Sequence, residues 1–155
     1  MERKARNSAY MKQANRQRIL SIIRKKPLSR AELARETGLT RAAISLIIEE
    51  LIKDGLVTES GVGEAEFGRK PVYLAINPDR FYVVGLNIAR DRCVCGIVNL
   101  KGEHVLSEEV HIENVYNSEE AIIVIEKAIS DIIKRTEIDP GKFLGIGISA
   151  PGPID

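Results

Sequence analysis

With 155 residues and a net charge of +1, the chain has room for one ordinary domain or two small ones. It lacks the apolar segment of a secretory signal, a run long enough to span a membrane, and the cysteine count of a disulfide framework, so a cytoplasmic protein with reduced thiols is expected. Residues 1–53 hold 13 Lys and Arg against 5 Glu, whereas residues 81–155 hold 7 against 12 acidic residues, which indicates a nucleic-acid-binding module joined to another domain.

The first predicted element is a helix from about Lys12 to Lys26, ended by Pro27. Its apolar residues recur at helical spacing among basic ones, and they are Ile19, Leu20, Ile22 and Ile23. Residues 1–11 are polar and basic, and we expect them to be loosely ordered. Contact of this helix with DNA phosphates and a plain solvated face are both consistent with its charges.

Two further helices joined by a tight turn are predicted after Pro27. Ser29 and Glu32 have the spacing of a capping box, and Gly38 suits the end of the helix that the box begins. Thr40 can cap the next helix, whose apolar stripe is Ile44, Ile47, Ile48 and Leu51. This order is typical of a helix-turn-helix, in which the second helix enters the DNA major groove. An ordinary helical hairpin within a larger core is the alternative.

Turning that apolar stripe inward leaves short or cationic side chains outward at the start of the second helix. Arginine can bind guanine through two hydrogen bonds, and small hydroxyl or methyl groups suit base edges and phosphates. We therefore predict DNA contacts from this face and from the start of the preceding helix, through Ser29, Arg30, Thr40, Arg41, Ala42 and Ser45.

A hairpin is predicted directly after the second helix, from a strand at residues 56–60 and a returning strand at residues 71–76. A hairpin in this place is a wing. Arg69 and Lys70 lie between Gly68 and Pro71 and form an extended cationic element that suits a narrow minor groove. A turn with two solvated charges is the alternative. The break at residues 77–79 predicts a first domain over 1–78 and a second over 79–155.

The second domain begins with three strands, predicted at residues 82–88, 93–99 and 104–112. A long helix from Ser118 and a buried strand over residues 143–148 follow. Cys93 and Cys95 share one strand face, and packing is favoured over metal binding because further ligands are not in range. His104 and His111 are expected on opposite faces if their strand is regular.

This β-β-β-α-β order resembles the opening of the actin-like, ribonuclease-H-like fold of sugar kinases. Together with the helix-turn-helix, the Gly-Arg-Lys-Pro wing and the closing Ala-Pro-Gly-Pro-Ile-Asp, it resembles the ROK family (repressors, open reading frames, kinases). Within the family, the chain is most similar to the repressor branch of xylose-repressor-like and N-acetylglucosamine-repressor-like proteins. The implied fold is α/β, with a winged helix-turn-helix followed by the first, incomplete part of the actin-like domain.

The resemblance implies a transcriptional regulator that represses carbohydrate-utilisation genes, is a homodimer, and has double-stranded operator DNA and a sugar effector as partners. It implies sugar contacts near Pro151 and Gly152, and it places the family's zinc site beyond residue 155, so no cofactor is expected here. Completing the second lobe takes roughly another two hundred residues, so the chain is expected to be a fragment.

Kinases of the family carry an Asp-x-Gly-Gly-Thr phosphate loop after the first strand, and the chain departs from it. Asn87 replaces the aspartate, and Ala89 and Arg90 replace the glycines that let a backbone approach phosphate. We therefore expect no catalysis. A ROK-type sugar kinase with an appended helix-turn-helix is the alternative, and a truncated dimer-forming module without sugar binding is a third possibility.

Overall fold

A computed structural model describes residues 2–62, 70–89, 91–112, 118–150 and 152. The chain divides into two compact units, Met1–Asn77 (unit 1) and Pro78–Asp155 (unit 2). Within the described ranges, none of the helices combines the length and the apolar character needed to cross a membrane.

Unit 1 is a winged helix-turn-helix, as predicted. Its elements are α1 Glu2–Ile23, β1 Leu28–Ser29, α2 Arg30–Thr37, α3 Arg41–Lys53, β2 Val57–Val62 and β3 Val72–Ile76. The strands form an antiparallel sheet in the order β1-β3-β2. Apolar side chains from all three helices and from β3 are fully buried, namely Ile19, Leu33, Ile44, Ile48, Leu51 and Leu74. The core thus holds the helix-turn-helix on its own small sheet.

Local signals place both helices of the motif. Ser29 and Glu32 form the predicted capping box, Gly38 adopts the left-handed conformation at φ 73° after α2, and Thr40 caps α3. The short strand β1 was not predicted. Two residues carry no periodicity of their own, and β1 exists because Leu28 and Ser29 pair with β3.

Helix α1 differs from the prediction at its start. It begins at Glu2, ten residues before the predicted start and within a segment expected to be loosely ordered. The prediction relied on apolar periodicity, which is confined to the C-terminal part of the helix. Lys, Arg, Ala, Gln and Met favour helix without an apolar stripe, so the helix extends beyond its buried turns.

Unit 2 has the predicted β-β-β-α-β order. Its elements are β4 Tyr82–Ile88, β5 Arg92–Asn99, β6 His104–His111, α4 Ser118–Lys134 and β7 Phe143–Ser149, with short 3₁₀ turns at Pro78–Arg80 and Pro140–Lys142. The sheet order is β6-β5-β4-β7, and β7 runs parallel to β4. This arrangement is consistent with the start of an actin-like ROK fold.

Helix α4 covers one face of this sheet. The core includes Val84, Leu86 and Ile97 from the strands and Ile132 from α4. The opposite face carries a row of small residues, because the register places Gly85 beside Gly96 and Gly147, and Gly96 beside Ser107. Among the described residues, no element covers this second face.

His104 and His111 were expected on opposite faces if their strand is regular, and the strand is irregular. The β5–β6 register shifts, since Ile97 pairs with Leu106 whereas Val98 pairs with His104. One extra residue, Val105, therefore reverses the alternation of side chains. His104 lies beside Val98 and His111 beside Arg92, which share a face of β5, so both histidines lie on the same face.

Candidate nucleic-acid interface

Helix α1 contacts α3 and its C-terminal cap through ion pairs. The Arg16 guanidinium donates to Glu50 Oε2 at 3.0 Å and to Asp54 Oδ2 at 2.5 Å, and Lys12 Nζ donates to Glu50 Oε1 at 2.6 Å. The hydrogen bond to Asp54 raises the pKa of Arg16, and the hydrogen bond from Lys12 lowers the pKa of Glu50. Lys12 and Arg16 therefore pair with carboxylates of unit 1 and link α1 to α3.

A second contact from α1 fixes the turn of the motif. Arg18 donates to the backbone oxygens of Thr37 at 3.1 Å and Glu36 at 3.4 Å. These carbonyls end α2, where the helix dipole favours a cation. Arg18 is thus a positioning residue for the turn that leads into α3.

The start of α3 presents the predicted contact residues outward. Thr40 Oγ1 accepts a hydrogen bond from the Ala43 backbone at 3.2 Å, so this hydroxyl is used as the cap. Thr40, Arg41 and Ala42 are exposed and Ser45 is half-buried. The end of α3 that enters the groove first in this motif therefore carries short side chains and one arginine.

Two predicted contact residues at the start of α2 have partners within unit 1. Ser29 is only 6% exposed, and its hydroxyl donates to Glu32 Oε2 at 2.7 Å. This hydrogen bond lowers the pKa of Glu32. Arg30 lies 3.5 Å from Glu59 Oε1 on β2. Both residues stabilise the motif, and direct DNA contact by either stays a prediction.

A cationic recess that the sequence analysis did not identify lies between α2 and the start of α3. It has a volume of about 470 Å³ and is lined by Ala31, Ala34, Arg35 and Arg41. Within the described part of the chain, neither arginine forms an ion pair, in contrast to Lys12, Arg16, Lys26 and Arg30. The signal that points to Arg35 is its position beside two alanines, which leave room for a ligand between the helices.

The wing is present as predicted. Strand β2 pairs with β3 from Val57 opposite Ile76 to Val62 opposite Val72, with a register shift between Glu59 and Gly61. Residues 63–69, between the two strands, lie outside the described residues, and predicted contact residue Arg69 is one of them. Lys70, at the start of the returning segment, is exposed.

Comparison with known proteins points to one family. The winged helix-turn-helix DNA-binding family matches residues 13–58. Over 96% of its length the chain is 34% identical to a xylose repressor of Bacillus spizizenii and 31% identical to one of Caldicellulosiruptor bescii, covering 39% and 38% of them. Over 83% of its length it is 23% identical to the DNA-binding transcriptional dual regulator NagC of Escherichia coli, covering 32% of that protein.

A solved structure agrees with these relatives. It is a ROK family transcriptional regulator described as a homologue of the E. coli MLC protein, and it matches 92% of this chain and 36% of its own with a TM-score of 0.70 and 27% identity. The chain is similar to ROK-family transcriptional regulators over most of its length. It spans about two fifths of the length of the first curated relatives it matches.

The turn after β4 in unit 2 occupies the position at which, by resemblance, kinases of the ROK family carry their phosphate loop. Here the backbone N–H of Ala89 donates to the Arg92 carbonyl at 2.8 Å and closes a tight hairpin. Asn87 pairs with Ser149 on β7 and Val94 on β5. Arg90 lies outside the described residues.

The other candidate residues of unit 2 are two buried cysteines and the segment at Pro151 and Gly152. Cys93 and Cys95 are buried against α4, and burial raises the pKa of both thiols, to about 11 for Cys95. Across the described ranges, no three His, Cys, Asp or Glu residues lie close enough to hold a metal. Gly152 is exposed, and Pro151 lies outside the described residues.

Proposed function

We propose that the chain carries the operator-binding domain of a sugar-responsive transcriptional repressor that acts in the cytoplasm on carbohydrate-utilisation genes. The observation that carries this proposal is the distribution of charge in unit 1. Arg16 and Arg30 form ion pairs with carboxylates of the unit. Arg35 of α2 and Arg41 at the start of α3 line the recess and, among the described residues, form no ion pair. Unpaired cations at this end of a recognition helix suit the phosphates and guanines of a duplex.

In this proposal α3 enters the major groove with its N-terminal end first. Arg41 binds a base edge, Ala42 and Ser45 allow close approach, and Arg35 holds a phosphate beside the groove. The wing follows the backbone, with Lys70 and the adjacent Arg69 directed to a narrow minor groove. Homodimers would then require half-sites separated by about 10 base pairs or a multiple.

The sugar effector rests on the names of the relatives, which are a xylose repressor and an N-acetylglucosamine repressor. We propose the same kind of effector for this protein. A sugar bound in unit 2, near Pro151 and Gly152, shifts the population between two arrangements of the DNA-binding domains. Such a shift requires the sugar to bind one arrangement more tightly than the other. The 155-residue chain should bind sugars weakly or not at all, because it holds only one wall of the proposed sugar cleft. Saturable micromolar binding in calorimetry would contradict a site divided in this way.

The competing function is a sugar kinase with an appended DNA-binding domain, and we propose that phosphoryl transfer is absent. Asn87 cannot supply the negative charge that the family's aspartate provides, and the hairpin closed by Ala89 lacks the phosphate-binding glycines. A coupled assay of the full-length protein with ATP, magnesium and a panel of hexoses and pentoses checks this proposal. Turnover above about 1 per second, at the low end for enzymes, would establish the kinase instead.

The DNA proposal is tested by selecting bound duplexes from a random pool and titrating variants against the selected sequence. Arg41→Ala should weaken binding by about 1–3 kcal/mol and relax the preference at one position. The matched control is Lys101→Ala, an exposed cation in a turn of unit 2, which should leave affinity unchanged. Equal losses for both variants, or an unenriched pool, would contradict the proposal.

A further inference from the structure

Leu46 is the most exposed large apolar side chain of α3 and lies outside the core of unit 1. Leu46 is 64% exposed, whereas Ile44, Ile47 and Ile48 on the opposite side are buried. Leu46 lies one turn after Ala42 and one turn before Glu49, both exposed, so the three form an outer stripe along the helix. The sequence analysis used the buried stripe and assigned no role to this residue.

An isolated exposed leucine needs no explanation, but the setting of Leu46 does. Ala42 and Ser45 are too short to shield it from an approaching surface. Arg41 lies five residues before it on the same helix, and it lines the cationic recess together with Arg35. An apolar side chain on the outer stripe of a helix whose exposed start carries an arginine suits a partner that combines negative charge with an apolar group.

A DNA major groove is such a partner. Each phosphate is anionic, and the only apolar group that a base pair presents in this groove is the C5-methyl of thymine. The isobutyl group of Leu46 has no hydrogen-bonding atom and so cannot read a polar base edge. Resting on the proposed DNA-binding function, we propose that Leu46 determines specificity by packing against the methyl group of one thymine in the operator.

The experiment removes the Leu46 side chain and the thymine C5-methyl group, first separately and then together. The selected duplex is prepared with each thymine replaced in turn by deoxyuridine, which deletes only the C5-methyl, and is titrated against the full chain, Leu46→Gln and Leu46→Met. At one position the uracil should weaken binding by the wild-type chain about fourfold, the worth of one buried methylene. Leu46→Gln should bind the two duplexes equally, and Leu46→Met should keep the discrimination.

The matched control is Ile122→Gln, a similarly exposed apolar residue at 54% exposure on α4, which should leave the thymine discrimination intact. Thermal melting followed by circular dichroism verifies that Leu46→Gln is folded. If the effects of Leu46→Gln and uracil multiply at every position, the leucine–methyl contact is absent. A change in oligomeric state for Leu46→Gln with unaltered discrimination would instead identify a protein contact and overturn the proposal.

Failure of the proposed function itself would look different. A wild-type chain that enriches no duplex from the pool contradicts DNA binding and removes the leucine contact with it. Enrichment with intact Arg41 dependence but multiplying effects at Leu46 contradicts only the thymine contact. The two proposals are therefore separable in one set of titrations.

Discussion

The two units differ in how completely their elements cover apolar side chains. In unit 1, three helices and a small sheet enclose one core, and the most exposed large apolar residue of α3 is Leu46, at 64% against 36% for Ile52. In unit 2, α4 covers one sheet face, and Ile146 and Ile148 on β7 are 54% and 65% exposed. An exposed leucine on the closed unit therefore suggests a partner, whereas exposed isoleucines on the open sheet lack a cover within the described residues.

The same comparison applies to charge. In unit 1, Lys12 and Arg16 of α1 pair with Glu50 of α3. Arg35 and Arg41, which line the recess, form no ion pair among the described residues. In unit 2, Arg92 and Arg135 pair with carboxylates on β6. Pairing, more than the number of basic residues, distinguishes a candidate DNA-binding surface from a solvated one, because a paired cation must lose its partner before it contacts phosphate.

The largest expected effect contrasts two isoleucines. Ile48→Ala should destabilise unit 1 by about 2–5 kcal/mol, because Ile48 is fully buried and the change leaves a cavity. Ile148→Ala should change stability by less than about 0.5 kcal/mol. Denaturant unfolding followed by circular dichroism measures both. Equal losses would show that the exposed strand of unit 2 is covered in solution.

The capping box of α2 should have a smaller effect. Ser29→Ala should cost about 1 kcal/mol in the free energy of unfolding, because the Glu32 backbone N–H loses its acceptor. The folded pKa of Glu32 is lowered, so its contribution is present above the unfolded pKa and is lost as the pH falls through the folded pKa.

The stability curves of wild type and Glu32→Gln should therefore approach each other below the unfolded glutamate pKa of about 4.3 and converge only below the lowered folded pKa of Glu32. Ser29→Ala should remain less stable at every pH, because the lost hydrogen bond from the Glu32 backbone N–H does not depend on protonation. Ser21→Ala serves as a control, because this serine lies on the exposed side of α1 and donates only to the Arg18 carbonyl. A pH-independent difference between wild type and Glu32→Gln would contradict the assigned role of the Glu32 carboxylate.

A weaker, sequence-independent effect is expected at the end of α1. Changing Arg24 or Lys25 to alanine should lower affinity evenly across duplexes and reduce the salt slope by about one, if each neutralises one phosphate. Arg69→Ala should instead weaken binding most at narrow, A·T-rich minor grooves. Titration of each variant at several salt concentrations separates the two patterns. An unchanged salt slope would assign Arg24 and Lys25 to the solvated face.

The smallest effect concerns the thiols of unit 2. Cys93 and Cys95 should react with a thiol reagent at pH 8 only after unfolding, because burial raises the pKa of both, to about 11 for Cys95. Labelling with and without denaturant measures this protection. Rapid labelling of the native chain would mean that α4 does not keep the two thiols covered in solution.

Much of unit 1 was predictable from the sequence because its signals are local. The capping box joins Ser29 and Glu32, the turn needs Gly38 in a left-handed conformation, and the buried stripe of α3 repeats every three or four residues. Strand β4 was predicted with its observed bounds for the same reason: a run of β-branched residues stands between breaks. Such signals act over one helical turn or one strand.

Only the tertiary structure decided which basic residues form ion pairs and on which face of strand β6 the histidines lie. Arg16 meets Glu50 and Asp54 at separations of 34 and 38 residues, and no local pattern distinguishes it from Arg35, which lines the recess. The extra residue Val105 is visible only in the pairing of β6 with β5, yet it moves His104 to the face of His111. Helical spacing alone places Leu46 outward, but its high exposure depends on packing, because the core of unit 1 closes without it.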